Sequence, residues 1–124
     1  MTVLVDSDIL IEILRARDLA ILERWVELSG SDGVILCSAV SVAEVWHGAR
    51  ANEHTALVNL FGTLSCVPVD EETARVAGGY LSHYRKSHGL ELGDALIAAA
   101  AAGHGATLWT RNRKHYPMKG LKFY

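Results

Sequence analysis

Residues Thr2 to Leu14, TVLVDSDILIEIL, change their period partway along. Thr2-Val-Leu-Val5 is a short apolar run and predicts a buried strand. Beyond Asp6-Ser7-Asp8, the residues Ile9, Leu10, Ile13 and Leu14 recur at three and four, which predicts a helix. The rest of the chain repeats that alternation. Leu19, Leu22, Trp25 and Val26 mark a second helix, stopped by Ser29-Gly-Ser-Asp-Gly33, and Val34-Ile-Leu-Cys37 reads as a second strand. Ser41 is expected to open a helix through Val45 and Trp46, followed by another around Ala56, Leu57, Leu60 and Phe61. A third strand is expected over Leu64 to Val69. Asp70 then caps a longer helix with apolar positions 74, 77, 81 and 84, weakened locally by Gly78-Gly79. From Leu96 the chain is apolar on every side of a helix, the pattern of a buried one. Ala106 to Trp109 reads as a fourth strand and Leu121 to Tyr124 as a short fifth. Strands separated by helices predict an α/β fold with three α/β/α layers: a mostly parallel sheet of four or five strands, flanked by helices.

At 124 residues the chain has the size of one domain, taken as 1–124. Half of its residues are hydrophobic and about a fifth charged, a globular rather than a disordered balance. The start MTVLVDSD shows no signal peptide. The longest apolar run, Ala95 to Ala102, is far shorter than the roughly 20 residues needed to cross a bilayer. Two cysteines, Cys37 and Cys66, are too few for a disulfide framework, and both are expected as reduced core thiols. These features predict a soluble cytoplasmic protein. Charge is uneven. Five bases (Arg111, Arg113, Lys114, Lys119, Lys122) and no acid follow Thr110, leaving seven bases against fourteen acids in residues 1–110. A basic end on an acidic body can guide a phosphate backbone, although the plainer reading is a solvated surface.

In open parallel sheets, sites form beyond the carboxyl ends of the strands. There the topology gathers Asp6-Ser7-Asp8, Glu44, Asp94 and Thr110-Arg111-Asn112. Each has a bland reading. Asp6 and Asp94 can cap helices, and Glu44 lies three after Ser41 in the S-x-x-E pattern of a capping box. Asp8 and Glu91 read as surface or supporting charges. Ser7 and Thr110 are ordinary boundary residues, and Asn112 an ordinary turn residue. Their joint placement points instead to a hard cation, Mg²⁺ or Mn²⁺, held by oxygen ligands. Without an ion, clustered carboxylates raise one another's pKa, so their gathering needs a cause. The six histidines show no HExxH spacing, and no GxSxG, GxxxxGK[ST] or GxGxxG motif occurs. Asp6-Ser-Asp8 is weakly similar to the aspartate pair of haloacid-dehalogenase-type phosphatases, without their lysine motif or room for a cap domain.

Four segments in order, LVDSDILIEIL, SAVSVAEVWHGA, LGDALIAAAA and LWTRNRKHYPMKGLKFY, together resemble PIN-domain ribonucleases of the VapC toxin type over nearly the whole chain. The resemblance implies a PIN-like fold and metal-dependent hydrolysis of RNA. It places the acidic site on Asp6, Glu44 and Asp94, with Asn112 where many relatives carry an aspartate. Asp6 and Asp94 would then hold the cation and Glu44 would complete its shell. Ser7 and Thr110 would support them, while Arg111, Arg113 and Lys114 would meet RNA phosphates. It further implies a homodimer and a cognate VapB-type antitoxin that silences cleavage. The apolar first helices, with Trp25 and Trp46, are then candidate interface. The alternative is a PIN-like module that binds a protein or RNA without catalysis.

Overall fold

The computed structural model describes residues 1–124. Strands β1 (Thr2–Val5), β2 (Val34–Ser38), β3 (Ser65–Val67) and β4 (Thr107–Trp109) form one parallel sheet in the order β3-β2-β1-β4. The helices are α1 (Ser7–Arg15), α2 (Leu19–Ser29), α3 (Ala39–Gly48), α4 (His54–Gly62), α5 (Glu71–His88) and α6 (Leu92–Gly103). Because side chains alternate along a strand, β1 feeds two cores. Leu4 lies in register between Leu36 and Leu108 and faces α5 and α6. Val3 and Val5 face the opposite way, with Cys37 and Trp109, onto Ile9 and Leu10 of α1, Ile21 and Leu28 of α2, and Leu57 and Leu60 of α4. The result is the expected three-layer arrangement with β1 at its centre.

Helix α6 is buried through its middle, from Ala95 through Ala101 apart from Leu96. Alanines let its backbone lie close to the sheet, which makes it a stiff mount for whatever its first turn carries. Helix α5 runs unbroken through Gly78-Gly79, contrary to the local weakness expected there. Its ends compensate. Asp70 accepts from the Thr73 N–H, acids fill the first turn and bases the last, and Gly89 ends it in the left-handed region at φ 63°.

Three expectations need correction. Ser38, not Ser41, caps α3, accepting from the Val40 N–H, so Ser41 and Glu44 make no capping box. Leu121–Tyr124 forms no fifth strand. It meets β4 at a single bridge, Leu108 to Phe123, after a turn at Gly120 (φ 82°). Both thiols are free, but only Cys37 belongs to the core; Cys66 is exposed because β3 is an edge strand. No helix is long and apolar enough to cross a membrane.

Candidate active site

Asp6 follows β1 directly and is the N-cap of α1, its Oδ1 accepting from the Ser7 N–H at 2.7 Å. Its backbone N–H donates to the Trp109 carbonyl, tying the ends of β1 and β4 together. Asp6 Oδ2 accepts twice more, from the Thr110 hydroxyl and the Tyr116 hydroxyl, each at 2.8 Å. This carboxylate is therefore buried and fixed, and the cap and site readings of Asp6 coexist in one side chain.

Glu44 projects from α3 towards the same place. The Ser7 hydroxyl donates to its Oε1 at 2.6 Å, and the Ser7 and Ser41 hydroxyls share a hydrogen bond of 2.9 Å. Its Oε2 rests against Gly93 in the first turn of α6, where a β-carbon would stand 3.2 Å away. Gly93 thus leaves the space through which Glu44 approaches Asp94. Asp94 lies in that first turn but does not cap α6; Glu91 occupies the cap position. The Tyr116 hydroxyl stands 3.4 Å from Asp94 Oδ1. Burial, then the Asp6 charge, pushes the Asp94 carboxyl above its ordinary range. Glu44 and Glu91 add to the rise, and His115 opposes it. His115 and Asp94 also line a polar cavity of about 320 Å³ with His88, Leu90 and Glu91.

The three acids of the sequence reading thus share one neighbourhood, joined through Ser7 and Tyr116. No three acids stand close enough together to form a ready ligand cluster. Their chemistry nevertheless fits a hard divalent cation: the donors are all carboxylate oxygens, and Gly93 keeps a space beside Glu44 that any side chain would fill.

Of the two roles open to Asp8, surface or supporting charge, it takes the supporting one. Its Oδ2 accepts from the Arg111 N–H at 3.1 Å and the Asn112 side-chain amide at 3.2 Å, with the Thr110 hydroxyl at 3.5 Å. It therefore anchors the turn that follows β4, while its Oδ1 is buried without a partner. Asn112 commits its amide to Asp8 rather than standing among the three acids. Burial and the Asp6 charge raise Asp8 from about 3.8 to about 6.

That shift fixes the sign of a pH effect. In metal-free protein Asp8 costs nothing where it is neutral in both states. The penalty grows from about pH 4, as the unfolded carboxyl ionises first, and is complete above about pH 6. Asp8→Asn is expected to stabilise the metal-free protein at pH 7.5 by about 1–2 kcal/mol, allowing for the group's partial exposure. The gain should shrink towards pH 4 in thermal melts. A gain equal at both pH values would refute the assignment.

The basic residues divide. Arg111 and Arg17 both pair with one oxygen of the buried Glu12, at 3.1 and 2.6 Å. Arg113 donates to the Tyr124 carbonyl and lies over the Phe123 ring, so part of its reach is taken up by the chain's own end. Lys114 is exposed. Trp109 is core, whereas Trp25 lines an open apolar groove with Ile13, Leu14, Ala56 and Leu60. Trp46 is partly exposed beside His54. Sequence reasoning missed Tyr116, Ser41 and Glu12. Their partners lie 110, 34 and up to 99 residues away in the chain, and no local pattern marks them.

The PIN domain family model matches residues 3–121. A ribonuclease of Mycobacterium tuberculosis, VapC10, is 40% identical over 121 residues, covering 94% of this chain and 86% of that protein. Among solved structures, a toxin-antitoxin complex from Klebsiella pneumoniae aligns with a TM-score of 0.74 at 25% identity, covering 98% of this chain and 96% of its own. VapBC2 from Rickettsia felis, bound to a DNA fragment from its promoter, aligns with a TM-score of 0.81 over 100% of this chain and 98% of its own; at 21% identity it shows the fold alone. With the match spanning nearly every residue, and with a three-layer parallel fold carrying acids beyond its strand ends, this chain belongs to the PIN domain family.

Proposed function

We propose that the protein is a divalent-metal-dependent endoribonuclease of the VapC toxin type, a single-domain enzyme that hydrolyses RNA phosphodiester bonds in the cytoplasm. One observation carries this reading. Three carboxylates from segments far apart in the chain, Asp6, Glu44 and Asp94, converge on the carboxyl edge of the sheet, where Ser7 donates to Glu44 and Tyr116 to Asp6 and, at longer range, Asp94. Holding like charges together around the buried Asp6 is costly unless a cation is meant to join them. Similarity to a ribonuclease over most of the chain supports the same reading.

Asp6 and Asp94 would hold Mg²⁺ or Mn²⁺, with Glu44 reached directly or through water. Bound there, the cation would stabilise charge on the phosphate and would make water more acidic. Glu44, which accepts from the Ser7 hydroxyl, would take the proton of the attacking water. Asp8 holds the turn carrying Arg111 and Asn112, and Asn112 serves that turn in preference to the cation. Arg111, which pairs with Glu12, and the exposed Lys114 would contact RNA phosphates. Arg113 contributes more to seating the last residues. The groove lined by Trp25, Ile13, Leu14 and Leu60 is assigned to the VapB-type antitoxin that silences the enzyme, and a homodimer is the assembly proposed.

Purified protein is expected to cleave RNA with Mg²⁺ or Mn²⁺, to stop on chelation by EDTA and to resume when Mn²⁺ is restored. Cleavage that persists in EDTA would sink the metal reading. RNA binding without cleavage would leave the non-catalytic module. Expression should be toxic and be relieved by the small product of a neighbouring reading frame, and toxicity that no such product relieves would remove the antitoxin part.

A further inference from the structure

Tyr116 is the buried residue at the centre of the acidic site that the proposed chemistry leaves without a role. It follows the 3₁₀ turn Arg113–His115, and its ring packs into the core beneath α6. A buried tyrosine needs a partner for its hydroxyl, and here the partners are two acids of the site. The phenol has one proton. At 2.8 Å that proton goes chiefly to Asp6 Oδ2, with Asp94 Oδ1 a longer second acceptor at 3.4 Å. Counting Thr110 and the Ser7 N–H, Asp6 accepts three hydrogen bonds. Burial and the Asp6 charge push the phenol's pKa upward, so it stays a donor.

The geometry points to Tyr116 as a positioning residue that stands in for the cation: its hydroxyl clamps Asp6 beside Asp94 while no metal is bound, and yields part of that role when metal arrives. This rests on the metal-site reading above. A group that stabilises the metal-free form more than the loaded form opposes loading. Removing the hydroxyl should therefore weaken the metal-free protein and tighten its grip on the ion, whereas a merely structural tyrosine would weaken both forms equally.

The experiment compares wild type with Tyr116→Phe by thermal melting, with EDTA and with saturating Mn²⁺, and by calorimetric Mn²⁺ titration. The expected result is a lower metal-free midpoint for Tyr116→Phe, a larger Mn²⁺-induced rise, and Mn²⁺ affinity up to about tenfold tighter. Equal or weaker affinity would overturn the clamp while leaving the metal site standing. Failure of wild type to bind Mn²⁺ would overturn both. Should Tyr116→Phe not fold, tyrosine ¹³C NMR of wild type titrated with Mg²⁺ decides the matter. The Tyr116 ring carbon bearing oxygen should shift on saturation, its signal identified by Tyr80→Phe, Tyr84→Phe and Tyr124→Phe. A signal unmoved by bound Mg²⁺ would overturn the proposal.

Discussion

Asp94→Asn is expected to lower metal-dependent RNA cleavage by at least about a hundredfold while leaving the protein folded. Losing a partner that merely supports a metal ligand already costs about 10–100-fold, and a direct ligand should cost more. Asparagine keeps the shape but removes the charge. The fold should tolerate this because Glu91, not Asp94, holds the cap position of α6. The side chain is also already under strain, since burial and Asp6 both disfavour its charged form. Losing a first-turn acid removes roughly 0.3–1 kcal/mol of helix-dipole interaction, which relief from Asp6 offsets. The check is cleavage of a labelled RNA at saturating Mn²⁺, with circular dichroism on the same sample. Equal cleavage by both proteins would mean a contaminating nuclease and no catalysis by this site.

Leu4→Ala should be the most damaging substitution for the fold, costing about 3–5 kcal/mol, the upper part of the range for buried leucines. Leu4 is fully buried at the centre of the sheet, with Leu36 and Leu108 in register on either side. The helix above it is built of alanines, which have no flexible side chains to swing into the space. Relaxation is therefore limited and the cavity persists. Against a total stability of about 5–15 kcal/mol, that loss brings the domain near unfolding. Urea denaturation measures it directly, and a loss below about 1 kcal/mol would contradict the central placement of β1.

Where sequence patterns were local, they carried the fold. The change of period at Asp6 located the junction of β1 and α1, and the all-round apolar stretch after Asp94 located a buried helix. Ser41 misled because three serine or alanine residues crowd the end of β2. Helix α3 starts where the strand stops, at Ser38, and puts Ser41 one turn inside to meet Ser7. Leu121–Tyr124 has the composition of a strand but reaches β4 through only two backbone hydrogen bonds, those of Leu108 with Lys122 and Tyr124. Within the site, Asp6, Glu44 and Asp94 were legible because topology sends strand ends to one rim. Asp8 and Tyr116 were not, because each acts through contacts more than 100 or about 20 residues away that only the packed chain creates. The same is true of the arginines. Whether Arg111 and Arg113 are free for a ligand depends on Glu12 and on the Tyr124 carbonyl, neither of which charge counting reveals.

The order of the strands has a consequence for biosynthesis. Asp6 is made 104 and 110 residues before its two hydroxyl donors, Thr110 and Tyr116. Strand β4, which pairs along the flank of β1, likewise follows it by about a hundred residues. A growing chain that still lacks Thr110 and Tyr116 therefore carries its acids without the frame that arranges them. The acidic site thus forms only once the segment from β4 to Tyr116 has joined the sheet.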